Sequence, residues 1–207
     1  MIEEQILNLA KRIKSISDVG QLYCKNDYDI ERYHELQTIS FELMHLLTDK
    51  PITTIQNFYD KNEDYPTPKV DVRALILNAE KQILLVKESI DSKWSLPGGW
   101  ADIGLSPKEV VIKECQEETG LTVACKQLLA LFDKKCHNHP PQPYYVYKLV
   151  FYCEPLTSEI NKGFDVLNVG YFNIDNLPEL SEDRILKSQI VLVYNKVMAN
   201  NFEALVD

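Results

Sequence analysis

Long apolar runs are missing from this chain. No stretch of its 207 residues approaches the 18 or more apolar positions that a membrane span needs, so no membrane partner is expected. The acidic N-terminus lacks the basic-then-apolar pattern of a secretory leader, which makes a cytoplasmic protein the expectation. Glycine is scarce at 7 residues, which excludes collagen-like and flexible low-complexity chains and draws attention to any place where glycines cluster. The five cysteines (Cys24, Cys115, Cys125, Cys136, Cys153) are odd in number and form no Cys-x-x-Cys pair. That argues against a disulfide framework and predicts free thiols. Positive charge is in deficit, 22 Lys and Arg against 31 Asp and Glu. A net charge of −9 makes DNA an unlikely partner and leaves room only for a short RNA held through metals. What is present is ordinary: 45% apolar residues, enough for one fair-sized domain or one domain plus a smaller one.

The informative stretch is Gly98 to Leu121. Ser106 is a good N-cap, Pro107 falls at the first helical position, and Glu109 sits three residues after the cap, which completes a capping box. Gly120 is the expected stop, since a left-handed residue after a helix carries no penalty without a Cβ. On the helix between them, Glu114, Glu117 and Glu118 share one face at i, i+3 and i+4. Taken alone, such a run reads as a solvated acidic helix end. The preceding Gly98-Gly99 changes the reading, because glycines let backbone approach a ligand closely and deliver it to the start of the carboxylate helix. Oxygen ligands suit a hard divalent cation, and a glycine loop with a carboxylate face is what a metal-bound phosphate needs.

These residues resemble the Nudix hydrolase signature: Gly, five residues, Glu, seven residues, Arg-Glu-aliphatic-x-Glu-Glu-x-Gly-aliphatic. With the first Gly on Gly99, the pattern falls on Lys113, Glu114, Cys115, Glu117, Glu118, Gly120 and Leu121. Two positions depart from it, Leu105 in place of the first Glu and Lys113 in place of Arg. Asp102 is placed to supply some of the missing loop charge, and Lys113 keeps a cation without the planar fork of Arg. The resemblance implies Mg²⁺ or Mn²⁺ held by Glu114 and Glu118, with Glu117 and the Gly98 carbonyl as further ligands. It also implies hydrolysis of the pyrophosphate bridge of a nucleoside diphosphate linked to another moiety. The general base is left between a box glutamate and Glu154.

Along the chain, Ile6, Leu9, Ile13 and Ile16 predict a first amphipathic helix, followed by a polar stretch with Asp18 and Gly20. Asp29 is read as the cap of a second helix with Tyr33, Leu36, Ile39 or Ser40, Leu43 and Leu47 on its apolar face, and Thr53 or Thr54 as the start of a third. Asn62 to Pro68, with two prolines, marks the boundary, giving a helical N-terminal domain over 1–67 and a second domain over 68–207. Residues 1–67 hold 7 Lys and Arg against 12 Asp and Glu, a net of −5, which favours an interface or a lid over a DNA reader. Val70 to Leu77 alternates as a strand, with a turn at 78–81 and a return strand over Gln82–Lys87. One or two strands are expected over 121–134, a strong one over Tyr144–Glu154 and a last one over 169–174. Ser181 is expected to cap a closing helix faced by Leu186, Ile190, Val193 and Val197. Cys136, His137 and His139 lack a second ligand pair and read as a loop before a zinc site.

The order strand–strand–box helix–strands–helix fits the α/β class, a Nudix α/β/α sandwich with a mixed sheet after a small all-helical domain. The helical start, Pro68 to Arg73 and Trp94 to Asp102 further resemble a bacterial Nudix group of CDP-choline and ADP-ribose pyrophosphatase-like proteins. That likeness puts a small-molecule nucleotide first as substrate, CDP-choline ahead of ADP-ribose, and implies a homodimer. Arg73, Gly99, Trp100 and Asp102 are the substrate-side candidates, and Glu114, Glu117, Glu118 and Lys113 the catalytic ones. Two other readings stay open at this point, a nucleotide-sensing module without turnover and an RNA-end hydrolase or nuclease.

Overall fold

A computed structural model describes residues 2–59, 66–102 and 104–207. The chain divides into two compact units, Met1–Pro68 with Pro141–Tyr145, and Lys69–Pro140 with Val146–Asp207.

The first unit is built on α1 (Ile2–Tyr23), α2 (Asp27–Thr48) and α3 (Ile52–Tyr59). The first helix runs straight through Asp18 and Gly20, where the sequence suggested a break. Gly20 is needed there for packing, because a Cβ would lie 2.4 Å from the Tyr33 ring. Asn26, not Asp29, caps α2, its side chain accepting from the Tyr28 and Asp29 amides. The face of α1 that turns inward is also not the expected one. Leu7, Ala10, Lys14 and Ser17 are buried, while Ile6, Leu9 and Ile16 stay exposed. Small side chains at 10 and 17 let the helices approach, and Ser17 donates to the Tyr33 carbonyl. Lys14 is buried by its pairing with Asp18 and by the rings of Phe41 and Tyr59, 5.4 and 4.5 Å from its Nζ. Tyr144 stacks on Phe58 at 4.2 Å, which ties Pro141–Tyr145 to this unit.

The second unit is an α/β/α sandwich around mixed strand pairing. Its strands are β1 (Lys69–Ile76), β2 (Ile83–Glu88), β3 (Trp94–Ser95), β4 (Gly98–Trp100), β5 (Val123–Asp133), β6 (Val146–Pro155), β7 (Val166–Phe172) and β8 (Leu205–Val206). They form a five-stranded sheet in the order β4-β1-β6-β5-β8 and a three-stranded one in the order β3-β2-β7. The turn at 78–81 therefore does not join a hairpin. β1 and β2 approach as an antiparallel pair only at the Leu77–Ile83 bridge beside the turn and then take their ladder partners in different sheets. Instead β1 pairs parallel with β6 along its whole length and antiparallel with β4. β5 is a single strand bulged at Cys125–Gln127 and Leu128–Ala130.

Two helices cover the strands. α4 (Pro107–Thr119) places Val110, Val111 and Cys115 against Val72, Ala74, Ile76, Leu84 and Phe151. α5 (Lys187–Met198) places Ile190 and Val193 against Leu75, Leu85, Leu129 and Phe132 on the other side. Ser181 does not cap α5, which begins after Leu186; its hydroxyl donates to Asp91 Oδ2 at 2.6 Å. The five cysteines are free thiols. Among the described residues no helix is long and apolar enough to cross a membrane.

Candidate active site

The site grows from the contact between β4 and α4. β4 pairs with β1 so tightly that a Cβ on Gly98 would sit 2.0 Å from the Val72 carbonyl oxygen. Gly98 also holds φ at +140°, a backbone state that side chains rarely adopt. Only glycine fits. Its amide then points at α4 and donates to Glu118 Oε2 at 2.8 Å. Gly99 lies against Glu114, whose Oε1 would be 2.9 Å from an added Cβ. The helix is fixed by its own ends. Ser106 and Glu109 exchange the reciprocal capping bonds at 3.3 and 2.7 Å, and Gly120 stops the helix at φ +73°.

Glu118 is 5% exposed and Glu114 half-buried, so the two acids stand in low dielectric beside each other. Burial pushes the Glu118 carboxyl up to about 8, although the Arg73 charge and the Gly98 N–H both favour the anion. Burial raises Glu114 too; Arg73 and Lys113 oppose it, and Glu117 and Asp165 add to it. Glu117 lies on the exposed side of the helix with its carboxylate 3.6 Å from Lys113 Nζ. Lys113 makes its closer contact with Asp102, 2.7 Å away, and that hydrogen bond raises its pKa. Lys113 thus ties the loop to the helix beside Leu105, which is 39% exposed.

Of the substrate-side candidates, Gly99, Trp100 and Asp102 are at the surface of the glycine loop. Trp100 is 47% exposed with Lys69 Nζ 5.6 Å from its ring centre. Arg73 is different. It is 5% exposed, donates through Nε to Asp71 at 3.0 Å and through Nη1 to the Leu96 carbonyl at 3.0 Å, and lies 3.7 Å from Glu88. Glu154, a candidate base, is half-exposed and paired with Lys126 at 2.9 Å. Two acids that sequence reasoning did not single out act on the pair, Glu88 on Glu118 and Asp165 on Glu114. Asp165 gets there because its loop docks on the end of α4: the Gly163 amide donates to the Glu118 carbonyl at 3.0 Å, and a Cβ at Gly163 would meet the Glu117 carbonyl at 2.0 Å. The His137 and His139 rings turn to separate partners, Asp207 Oδ2 at 2.8 Å and the Glu182 carbonyl at 2.6 Å.

The donor set fits a hard divalent cation. Glu114 and Glu118 offer carboxylate oxygens on successive turns, and burial raises the pKa of both, so the protein by itself only partly compensates the charge either would carry as an anion. A preformed group of three or more acidic, His or Cys ligands is not present among the described residues.

Comparisons with known proteins give the family to which this fold belongs. The NUDIX domain profile matches residues 67–191, and a profile described as "UDP-X-like, N-terminal oligomerisation domain" matches residues 4–59. The chain belongs to the Nudix family and is a Nudix hydrolase. It is 40% identical to the "Putative ADP-ribose pyrophosphatase YjhB" of Bacillus subtilis over 194 residues, 94% of this chain and 93% of that protein. A UDP-X diphosphatase crystal structure superposes with TM-score 0.63 at 32% identity over 98% of both chains. An ADP-ribose pyrophosphatase from Streptococcus suis superposes with TM-score 0.61 at 36% identity, covering 68% of this chain and all of its own.

Proposed function

We propose that the protein hydrolyses the P–O–P bridge of a nucleoside diphosphate linked to a second moiety, with a divalent cation, Mg²⁺ or Mn²⁺, at Glu114 and Glu118. The observation that carries this reading is the Gly98 amide on Glu118 with Gly99 against Glu114, which brings the glycine backbone against both carboxylates. Glu118, oriented by the Gly98 N–H, and Glu114, backed by the Arg73 charge, would hold the cation together with the Gly98 carbonyl, and Glu117 would join from the rim. When bound, the cation neutralises pyrophosphate charge and lowers the pKa of its water. Trp100 and Asp102 line the substrate side of the loop, and Lys113 keeps that loop on the helix. As base, the box glutamates are the better placed, since Glu154 is occupied by Lys126.

ADP-ribose and UDP-linked compounds lead the substrate panel, because relatives matched over most of this chain carry those names; CDP-choline stands third. The test is product analysis by chromatography with Mg²⁺ or Mn²⁺. A nucleoside monophosphate and a phosphorylated second moiety are expected from wild type, with the rate collapsing in Glu118→Gln. Full turnover by Glu118→Gln would overturn the assignment.

The domains are taken as 1–67 and 68–207, and the first as a homodimer element. The outward face of α1 supports this: Ile2, Ile6, Leu9, Ile13 and Ile16 follow an alternating spacing of four and three, the seam pattern of paired helices, and Tyr23 falls one heptad after Ile16. Leu9 is 52% and Ile16 59% exposed, which a second copy of the helix would cover.

A further inference from the structure

The buried charges under the carboxylate pair form a connected row. Asp71 and Lys148 are register partners on the parallel strands β1 and β6, and the Lys148 ammonium pairs with Asp71 Oδ2. Asp71 and Arg73 are two apart on β1 and so share a face, where Arg73 Nε donates to Asp71 Oδ1 at 3.0 Å. Beyond Arg73 stands Glu88, which accepts from Ser95 Oγ at 2.5 Å and from Arg184 Nε at 2.9 Å. Lys148 is 1% exposed, Asp71 4%, Arg73 5% and Glu88 7%. Burial works to raise Asp71, yet Arg73 and Lys148 outweigh it and hold the carboxyl at about 2. Asp71 is therefore an anion throughout the neutral range.

A row of buried ions is poor support for stability, because an apolar set of the same volume often serves as well or better. Its place in the fold points elsewhere. Arg73 holds the glycine loop by both backbone and side chain. The next residue, Ala74, donates its amide to the Pro97 carbonyl at 2.8 Å, Arg73 is the register partner of Gly98, and Arg73 Nη1 binds the Leu96 carbonyl. The loop so held ends in the Gly98 amide that orients Glu118. A planar guanidinium can make these contacts only if its angle is set from behind. Asp71 sets it, and Lys148 sets Asp71.

We propose that Lys148 and Asp71 are positioning residues: they orient Arg73, and Arg73 fixes the Leu96–Gly98 backbone and supplies the cation against which Glu114 and Glu118 are held. All three are buried, and the role assigned to each is exerted on a neighbouring protein group. This inference rests on the carboxylate site of the preceding section but not on the identity of its substrate.

The test uses the full-length protein and two readouts, Mn²⁺ affinity by the electron paramagnetic resonance signal of free Mn²⁺, and kcat and KM on whichever substrate wild type turns over. Groups that orient metal ligands cost about 10- to 100-fold when removed, so Asp71→Asn is expected to weaken Mn²⁺ binding about tenfold and lower kcat by a similar factor, with KM within about threefold. Arg73→Lys, which keeps the charge and loses the fork, is expected to fall between wild type and Asp71→Asn. Wild-type Mn²⁺ affinity and kcat in a folded Asp71→Asn would overturn the inference, whatever its melting temperature. Should Asp71→Asn fail to fold, Arg73→Lys decides on the same two readouts, wild-type values again overturning it. Weakened Mn²⁺ binding with no substrate turned over even by wild type would sustain the positioning role and remove the proposed reaction; turnover by wild type with no effect of either variant would do the reverse.

Discussion

Replacing Gly98 by alanine tests the central contact of the site with one methyl group. The added carbon would lie 2.0 Å from the Val72 carbonyl oxygen and 2.9 Å from Arg73 Cα, both backbone atoms of a strand paired on two sides. Neither can yield without opening β1 from β4. The φ of +140° adds strain of roughly 1–3 kcal/mol for a residue with a side chain. Relief requires the loop to rotate, which breaks the amide bond to Glu118, a bond that contributes about 0.5–1.5 kcal/mol while the carboxyl is protonated and about 1.5–3 kcal/mol once it ionises. Together the expected loss is about 3 kcal/mol or more in urea unfolding followed by far-ultraviolet circular dichroism. Activity should fall further than stability, since the carboxylate loses the partner that aims it. Gly104→Ala is the matched control. Its φ of +93° carries strain, but among the described residues no atom beyond its chain neighbours lies within 4 Å of the added carbon, so about 1 kcal/mol and near-normal turnover are expected. Equal behaviour of the two variants, or a Gly98→Ala protein within 0.5 kcal/mol of wild type, would refute the close-approach argument.

Stability should depend on pH and on divalent cations together. Glu118 protonates near pH 8 when folded and near 4.5 when unfolded, so the folded state binds the extra proton between those values. Chelator-treated protein should accordingly be most stable below about pH 5 with respect to this group and lose up to roughly 4 kcal/mol by pH 8, a slope that Mg²⁺ or Mn²⁺ flattens by favouring the anion. A pH-independent unfolding midpoint over that window would show that Glu118 is not held in the way described. Leu9→Glu with Ile16→Glu should convert the protein to a 23.9 kDa monomer in sedimentation equilibrium, and an unchanged assembly would remove the α1 seam. Lys113→Ala should lower turnover by less than about tenfold with no change of fold, because exposed ion pairs are weak; a total loss would give Lys113 a role beyond holding Asp102.

The parts of this molecule that were legible in the sequence are those whose cause is local. Ser106, Pro107, Glu109 and Gly120 mark α4 because capping is decided within a few residues, and the structure has each bond that the spacing implies. Gly98-Gly99 announces a close approach because few other residues permit one. The face of α1 was misread for the opposite reason. Periodicity marks which side is apolar and not which side meets its own domain, and here the small residues Ala10, Ser17 and Gly20 took the packing while the larger stripe stayed outside. Asp165 and Lys148 reach the site through pairings that no local pattern encodes: a glycine-docked loop beyond α4, and a β1–β6 register spanning more than seventy residues. One signal was nevertheless available. Asp71, Arg73 and Lys148 sit in otherwise apolar strands, and a charge in a strand buried on both faces must find its opposite. Such charges are better read as statements about which strands are neighbours than as substrate contacts waiting for a ligand.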